Sequence, residues 1–195
     1  MVKIKNTVGK RWAKICGFLL RKLGWTSVGG IMEGNKAIVL GVPHTSMMDF
    51  PICYLFYAQY GVLAHIMIKK EFFFWPLGPI LRGLGCVSID RGNRKNDMVG
   101  TAVRKFKEGD SLSIAITPEA TRKPTKKWKK GFWEIARQAE VPIVPAYWDF
   151  KKKEIGIYDT IIPSDDFEAD LAKIRKLYHK EMAKYPEMFY ESENS

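Results

Sequence analysis

Short apolar runs of strand length alternate along this chain with longer segments of helical spacing, and this alternation most constrains its fold. Strands are predicted at residues 36–42, 65–70, 86–90, 111–117 and 142–150, with room for one more at 153–159. Helices are predicted at 49–60, within 71–85, and at 96–109, 131–140 and 164–185, the last with Ser164 as N-cap. The pattern is typical of a single α/β domain with a central mixed β-sheet flanked by helices.

The N-terminal segment predicts a basic amphipathic helix over residues 10–25, with Lys10, Lys14 and Arg21 on one side. The opposite, apolar arc comprises Trp12, Ile15, Cys16, Leu19 and Leu23. Such a helix can pack on its own domain or lie in a membrane interface, and five basic residues without an acidic one favour the membrane. We therefore expect residues 1–25 to form a membrane-interface helix ahead of a domain at 26–190. The protein would then be peripheral, at the cytoplasmic face of the cell membrane.

Charge and cysteine content narrow the choice of partners. Lys and Arg number 32 against 21 Asp and Glu, which gives a formal net charge of +11. This charge indicates an anionic partner, which could be nucleic acid, an acidic membrane, an acidic carrier protein or a phosphorylated substrate. Three widely spaced cysteines fit neither a disulfide framework nor a zinc site, so free thiols in a reducing cytoplasm are the simplest interpretation. No secretory signal is apparent, and the apolar run at 15–20 is shorter than the ~20 residues that span a bilayer.

In the segment VPHTSMMDF, His44 stands five residues ahead of Asp49, directly after the first predicted strand. Sites in α/β folds usually lie at the carboxyl ends of strands. A carboxylate bonded to one imidazole nitrogen fixes the tautomer and leaves the other nitrogen to accept a proton. Taken alone, such a pair more often has a structural role.

Two further strand ends carry charged residues that change this interpretation. Arg91 ends the third predicted strand, and Glu119 and Arg122 follow the fourth. Guanidinium groups bind phosphate oxygens in bidentate fashion. The three strand ends together predict base-assisted chemistry beside a phosphate.

Five segments, in order within residues 36–150, resemble the conserved blocks of the glycerophospholipid acyltransferases, the family typified by 1-acyl-glycerol-3-phosphate acyltransferase. They are HTSMMD, KKEFFFWPLGPILRGLG, GCVSIDR, TPEATR and VPIVP. In the second block Lys70 and Glu71 are adjacent, so only Lys69 keeps the family's spacing. Pro43 stands where the family often has Asn. In TPEATR, Thr117 and Ala120 replace the family's Phe and Gly.

The resemblance implies transfer of a fatty acyl group from acyl carrier protein or acyl-CoA to a glycerolipid hydroxyl. The favoured acceptor is 1-acyl-glycerol-3-phosphate, and the alternative is another lyso-lipid such as an acylated amino acid. His44 would be the general base and Asp49 its orienting partner. The implied substrate-binding residues are Lys70, Arg91, Glu119 and Arg122. No metal is expected, and no cofactor beyond the acyl donor.

Two expectations concern local geometry. The oxyanion formed on the thioester carbon needs donors, and backbone N–H groups around Thr45 or near Val144 are the candidates. Glycine in the place of Ala120 would signal a positive φ or a close approach to a ligand. A positive φ would strain an alanine, so we expect Ala120 to keep φ negative and its methyl group to narrow the acceptor pocket.

Other functions are weaker interpretations of the same residues. Ser46 lacks a nucleophile elbow, and Cys86 inside an apolar strand is typical of inert packing. His65 and His179 have no matching carboxylate block and are interpreted as structural. The run RKPTKKWKKGFW could stack on bases or contact an anionic bilayer, but no nucleic-acid module surrounds it, so nucleic acid is not expected as a partner. A catalytically silent membrane scaffold would not need both His44 and Asp49.

Overall fold

The computed structural model describes residues 7–32, 34–89 and 98–192. Within these ranges the strands are β1 (Thr26–Val28), β2 (Lys36–Val42), β3 (His65–Lys69), β4 (Val87–Ile89), β5 (Leu112–Ile116), β6 (Ile143–Asp149) and β7 (Glu154–Ile157). The α-helices are α1 (Lys10–Lys22), α2 (Asp49–Gln59), α3 (Leu77–Gly83), α4 (Met98–Glu108), α5 (Gly131–Gln138) and α6 (Phe167–Arg175). Single-turn 3-10 helices lie at Lys70–Phe72, Lys180–Met182 and Pro186–Met188.

The strands form one sheet in the order β1-β7-β6-β2-β5-β3-β4. Strand β2 is central and pairs in parallel with both β5 and β6, while β3 and β4 extend the parallel part beyond β5. Strand β7 runs antiparallel to β6, and β1 pairs in parallel with β7. The predicted single α/β domain with a mixed sheet is therefore confirmed. The five parallel strands β2 to β6 end at one edge of the sheet, called here the carboxyl edge.

Alternate residues of β2 belong to two separate cores, because successive side chains of a strand point to opposite faces of the sheet. Ala37 and Val39 pack with apolar residues of α1 and α2. Ile38 and Leu40 pack on the other face with residues of α4, α5 and α6. Helix α2 leads from β2 to β3, and helix α3 leads from β3 to β4. Both connections move across the sheet in the same direction, towards the edge formed by β4. Right-handed crossovers therefore place α3 in the layer of α1 and α2.

Helix α1 lies within the predicted helix at 10–25 and packs on the domain through Cys16, Gly17 and Leu20. Within the predicted apolar arc, Cys16 faces the protein, whereas the other members of the arc remain exposed. These members and Phe18 are 40–52% exposed: Trp12, Ile15, Phe18, Leu19 and Leu23. None of the helices in the described ranges is long and apolar enough to cross a membrane. The division of the chain at residue 25 stays a prediction.

Two elements differ from the sequence-based expectation. Strand β1 was not predicted, because its three residues carry no alternation and are extended only through pairing with β7. The prediction of one closing helix over 164–185 was wrong, as was its N-cap. Asp166 caps α6 by accepting from the Ala169 N–H at 3.0 Å, and the helix ends at Arg175. Leaving the helix there lets Tyr178 reach the interior, where its hydroxyl donates to the Ala146 carbonyl of β6 at 3.2 Å.

Candidate active site

His44 and Asp49 meet at the carboxyl edge, in the turn between β2 and α2. The His44 Nδ1 lies 3.0 Å from Asp49 Oδ2. The Asp49 side chain is 2% exposed, whereas that of His44 is 26% exposed. An Nδ1–H that donates to the carboxylate leaves Nε2 unprotonated, which is the form a general base requires.

Asp49 is the first residue of α2, and its carboxylate organises the turn before the helix. Oδ2 also accepts the backbone N–H groups of Thr45 at 3.0 Å and Ser46 at 2.9 Å. The Thr45 N–H is therefore already bonded, and the expectation of oxyanion donors around Thr45 or near Val144 stays a prediction. Val144 pairs with Val39 inside the sheet, away from the carboxyl edge. The Ser46 hydroxyl accepts from the Met48 N–H at 3.1 Å, so it too belongs to the turn.

The peptide unit between Pro43 and His44 is bonded at both of its polar atoms by side chains from the strands that flank β2. The Pro43 carbonyl accepts from the indole N–H of Trp148, on β6, at 2.6 Å. The His44 N–H donates to Glu119 Oε2, just beyond β5, at 2.9 Å. We call this arrangement the peptide clamp. It fixes the backbone from which the imidazole projects.

Gly41 makes room for the indole of the peptide clamp. A Cβ at this position would lie 2.5 Å from the Trp148 ring, closer than real contacts allow. Sequence reasoning missed both Gly41 and Trp148. The available signal was the glycine itself, since a glycine inside an otherwise apolar strand often marks a close approach by a neighbour.

Glu119 is 6% exposed. Burial raises the pKa of its carboxyl to about 8, the His44 N–H lowers it in part, and the nearby negative charge of Asp49 raises it. Glu119 is therefore largely protonated at neutral pH, and its Oε2 can still accept the His44 N–H. Its predicted contact with an acceptor stays a prediction.

The other predicted substrate-binding residues lie at or near the same edge of the sheet. Lys70 follows β3 directly and Arg122 lies six residues beyond β5, and both are exposed. Arg91 falls outside the described residues. The topology thus brings Lys70, Glu119 and Arg122 to the edge where His44 stands.

Residues interpreted as structural have buried or local partners. His65 is buried, and its Nδ1 lies 2.7 Å from the Gly85 carbonyl. His179 lies in the C-terminal segment, with Nδ1 2.9 Å from Glu191 Oε1. Cys86 is buried, and burial raises the pKa of its thiol to about 12, so the reactive thiolate is not populated at neutral pH.

The expectation that Ala120 keeps a negative φ was wrong. Its φ is +55°, and its N–H closes a tight turn onto the Thr117 carbonyl at 3.0 Å. The turn that delivers Glu119 to the peptide clamp ends in this left-handed residue. A Cβ in that region approaches the following carbonyl oxygen and costs roughly 1–2 kcal/mol.

Comparison with known proteins identifies the family to which these features belong. The family model described as Acyltransferase matches residues 11–149 of the 195. This chain belongs to the acyltransferase family.

Two curated relatives resemble the chain in sequence. A 1-acyl-sn-glycerol-3-phosphate acyltransferase of Bacillus subtilis is 27% identical over 164 residues, which cover 75% of this chain and 78% of that protein. An uncharacterized acyltransferase of Schizosaccharomyces pombe is 33% identical over 124 residues, 59% of this chain. The match spans only 43% of the S. pombe protein's own length.

A solved structure shares the fold. The crystal structure of the 1-acyl-sn-glycerophosphate acyltransferase PlsC of Thermotoga maritima superposes with a TM-score of 0.61. The match is 21% identical and covers 86% of this chain and 75% of that chain. At this identity the likeness supports the acyltransferase fold, with its mixed sheet, and nothing finer.

The raised pKa of Glu119 predicts a pH-dependent stability. Its stabilising contribution is complete below pH 4.5 and is lost as the pH rises towards about 8, because the folded carboxyl retains a proton that the unfolded chain has released. Glu119→Gln keeps a neutral oxygen acceptor, so its melting temperature should fall less between pH 5 and pH 8 than that of the wild type. Glu108→Gln, at an exposed carboxyl, serves as control. Parallel melting curves for wild type and Glu119→Gln would contradict the assignment.

The positive φ of Ala120 predicts that Ala120→Gly stabilises this family member. The glycine relieves roughly 1–2 kcal/mol of backbone strain in the folded state. About 0.4–1 kcal/mol of this gain in stability is lost because glycine makes the unfolded chain more flexible. The net gain should lie between about 0 and 1.6 kcal/mol, and each kcal/mol raises the melting temperature by ~2–4 °C. Ala169→Gly, at an exposed helical alanine in α6, should lower the melting temperature instead. Equal destabilisation by both changes would show that Ala120 is not strained.

Proposed function

We propose that this chain transfers a fatty acyl group from acyl carrier protein or acyl-CoA to a hydroxyl of a lyso-glycerophospholipid, with 1-acyl-glycerol-3-phosphate the favoured acceptor. The proposal is carried by the His44–Asp49 pair, whose partly exposed imidazole is held by a buried carboxylate at 3.0 Å. Membership of the acyltransferase family supports it, as does the likeness to the B. subtilis relative.

In the proposed reaction, Nε2 of His44 takes the proton of the acceptor hydroxyl as its oxygen attacks the thioester carbon. The tetrahedral intermediate collapses with cleavage of the C–S bond. The departing thiolate then takes the proton from the imidazolium, which restores the base. Asp49 holds the imidazole in the correct tautomer and stabilises its protonated form. A base of this kind contributes about 10²–10⁴-fold to the rate.

The acceptor phosphate is proposed to bind the cationic side chains near the carboxyl edge. Arg122 and Lys70 are exposed there and can form charge-assisted hydrogen bonds to phosphate oxygens. Arg91 is proposed to join them, on the strength of its place in GCVSIDR. The same positive surface suits an acyl donor that carries phosphate or acidic groups.

The protein is proposed to act as a peripheral protein on the cytoplasmic face of the cell membrane. Supporting this, α1 exposes Ile15 and Leu19, and Leu23 directly after it is exposed too, although the other side of the helix is buried in the domain. The helix also carries five basic residues, which attract anionic lipid headgroups. The remaining exposed apolar surface of α1 is the part available to a bilayer.

The catalytic assignment is tested by His44→Ala and Asp49→Asn, assayed by mass spectrometry of lipids after incubation with acyl donors and a panel of lyso-lipids. We expect His44→Ala to lose acyl transfer by about 10²–10⁴-fold. Asp49→Asn should lose most of the rate because the imidazole tautomer is no longer fixed. His179→Gln should retain activity, and circular dichroism confirms folding of each variant. Wild-type turnover by His44→Ala would refute the mechanism.

The membrane assignment of α1 is tested by flotation with liposomes that contain phosphatidylglycerol. Replacing Ile15 and Leu19 by Gln removes apolar surface that is 45% and 40% exposed, so folding should be preserved while flotation decreases. Raising the salt concentration should weaken the remaining binding. Unchanged flotation would show that α1 is an ordinary surface helix.

A further inference from the structure

The segment after β3 exposes an unusual amount of aromatic surface. Phe72 is 42% exposed, Phe74 58% and Trp75 84%. We call residues 72–75 the aromatic turn. Large aromatic side chains are normally buried in monomeric soluble proteins, and adjoining exposed ones often mark a binding surface.

Local contacts hold the aromatic turn in this outward arrangement. The Phe73 N–H donates to the Lys70 carbonyl at 2.9 Å, and the Gly78 N–H donates to the Phe74 carbonyl at 2.6 Å. A Cβ at Gly78 would lie 2.6 Å from the Phe73 carbonyl oxygen, so only glycine allows α3 to close against the turn. Phe73 is partly buried, and the guanidinium of Arg82 lies 5.5 Å from its ring centroid. These contacts fix the backbone of the aromatic turn, from which the other three rings project into solvent.

Two features of the fold indicate what covers these rings. The aromatic turn follows the carboxyl end of β3, so it stands at the same sheet edge as His44. It leads into α3, which lies in the same layer as α1 and exposes Ile80 by 56%. Residues of α1 and α3, Trp12 and Arg82 among them, line one cavity of about 520 Å³. This cavity lies at the amino ends of β3 and β4, so it shows that α1 and α3 are neighbours on one face of the sheet, and the aromatic turn leads into α3 from the carboxyl edge.

We propose that the aromatic turn inserts into the headgroup region of an anionic lipid bilayer, next to the mouth of the active site. Trp and Phe side chains favour this interface. The exposed cations Lys70 and Arg82 flank the turn and outnumber the one carboxylate beside it, that of Glu71. The inference extends the proposed function, since a lyso-lipid in the bilayer would reach His44 from this side.

The test uses the full chain with vesicles of phosphatidylglycerol and phosphatidylcholine that contain no acceptor, so that it measures binding alone. Trp75→Ser and Phe74→Ser should each lower vesicle affinity about tenfold, because each removes an inserted ring. Ile162→Ser is the matched control. Ile162 is 73% exposed but neighbours Ile161, which pairs with the first residue of β6 at the opposite sheet edge. Lipids brominated in their acyl chains should quench wild-type fluorescence more than that of Trp75→Phe.

Wild-type affinity of both serine variants would overturn the inference, as would equal quenching of wild type and Trp75→Phe. An equal loss of affinity in Ile162→Ser would also overturn it, since binding would then not be local to the turn. Acyl transfer to a detergent-solubilised acceptor reports separately on the proposed function. In this assay the two serine variants should retain wild-type turnover. An inactive wild-type protein would refute the proposed function, but the result of the vesicle-binding test would remain valid.

Discussion

The placement of His44 depends on the two hydrogen bonds of the peptide clamp. Trp148 and Glu119 come from the two strands that flank β2, and each bonds one polar atom of the same peptide unit. Leaving such a buried group without a partner costs about 1–3 kcal/mol. The direction in which the imidazole points is therefore fixed by contacts from β5 and β6, which flank β2, and by the hydrogen bond that the imidazole makes to Asp49.

Parallel pairing explains why a few short segments suffice for the site. Strands β2, β3 and β5 end at one edge, so the residues that follow them are neighbours although they are far apart in sequence. His44 and Glu119 are 75 residues apart along the chain and are directly bonded. Helix α2 begins at Asp49 in the same region, and its N-terminus favours the negative charge of that carboxylate.

The sequence was sufficient to predict features that depend on local pattern, and insufficient for those that depend on contacts between distant residues. The strands around β2 are predicted from their apolar runs, and the His44–Asp49 pair is predicted from its five-residue spacing. The positive φ of Ala120 does not, because the turn geometry is imposed where Glu119 must reach the peptide clamp. The role of Trp148 was equally hidden, since its partner is 105 residues away. The substrate-binding roles of the charged residues were predicted from the family resemblance alone, because no local sequence pattern shows which ligand such a residue binds.

Charge balance at the site follows from the unequal environments of its two buried carboxyls. Asp49 accepts two backbone N–H groups besides its contact with the imidazole. Glu119 accepts one backbone N–H, and burial together with the charge of Asp49 raises its pKa to about 8. Protonated Glu119 can bind the backbone of His44 without adding a second negative charge. In the proposed reaction, the imidazolium is then stabilised chiefly by Asp49, and the exposed side chains of Lys70 and Arg122 remain available to the proposed phosphate-bearing acceptor.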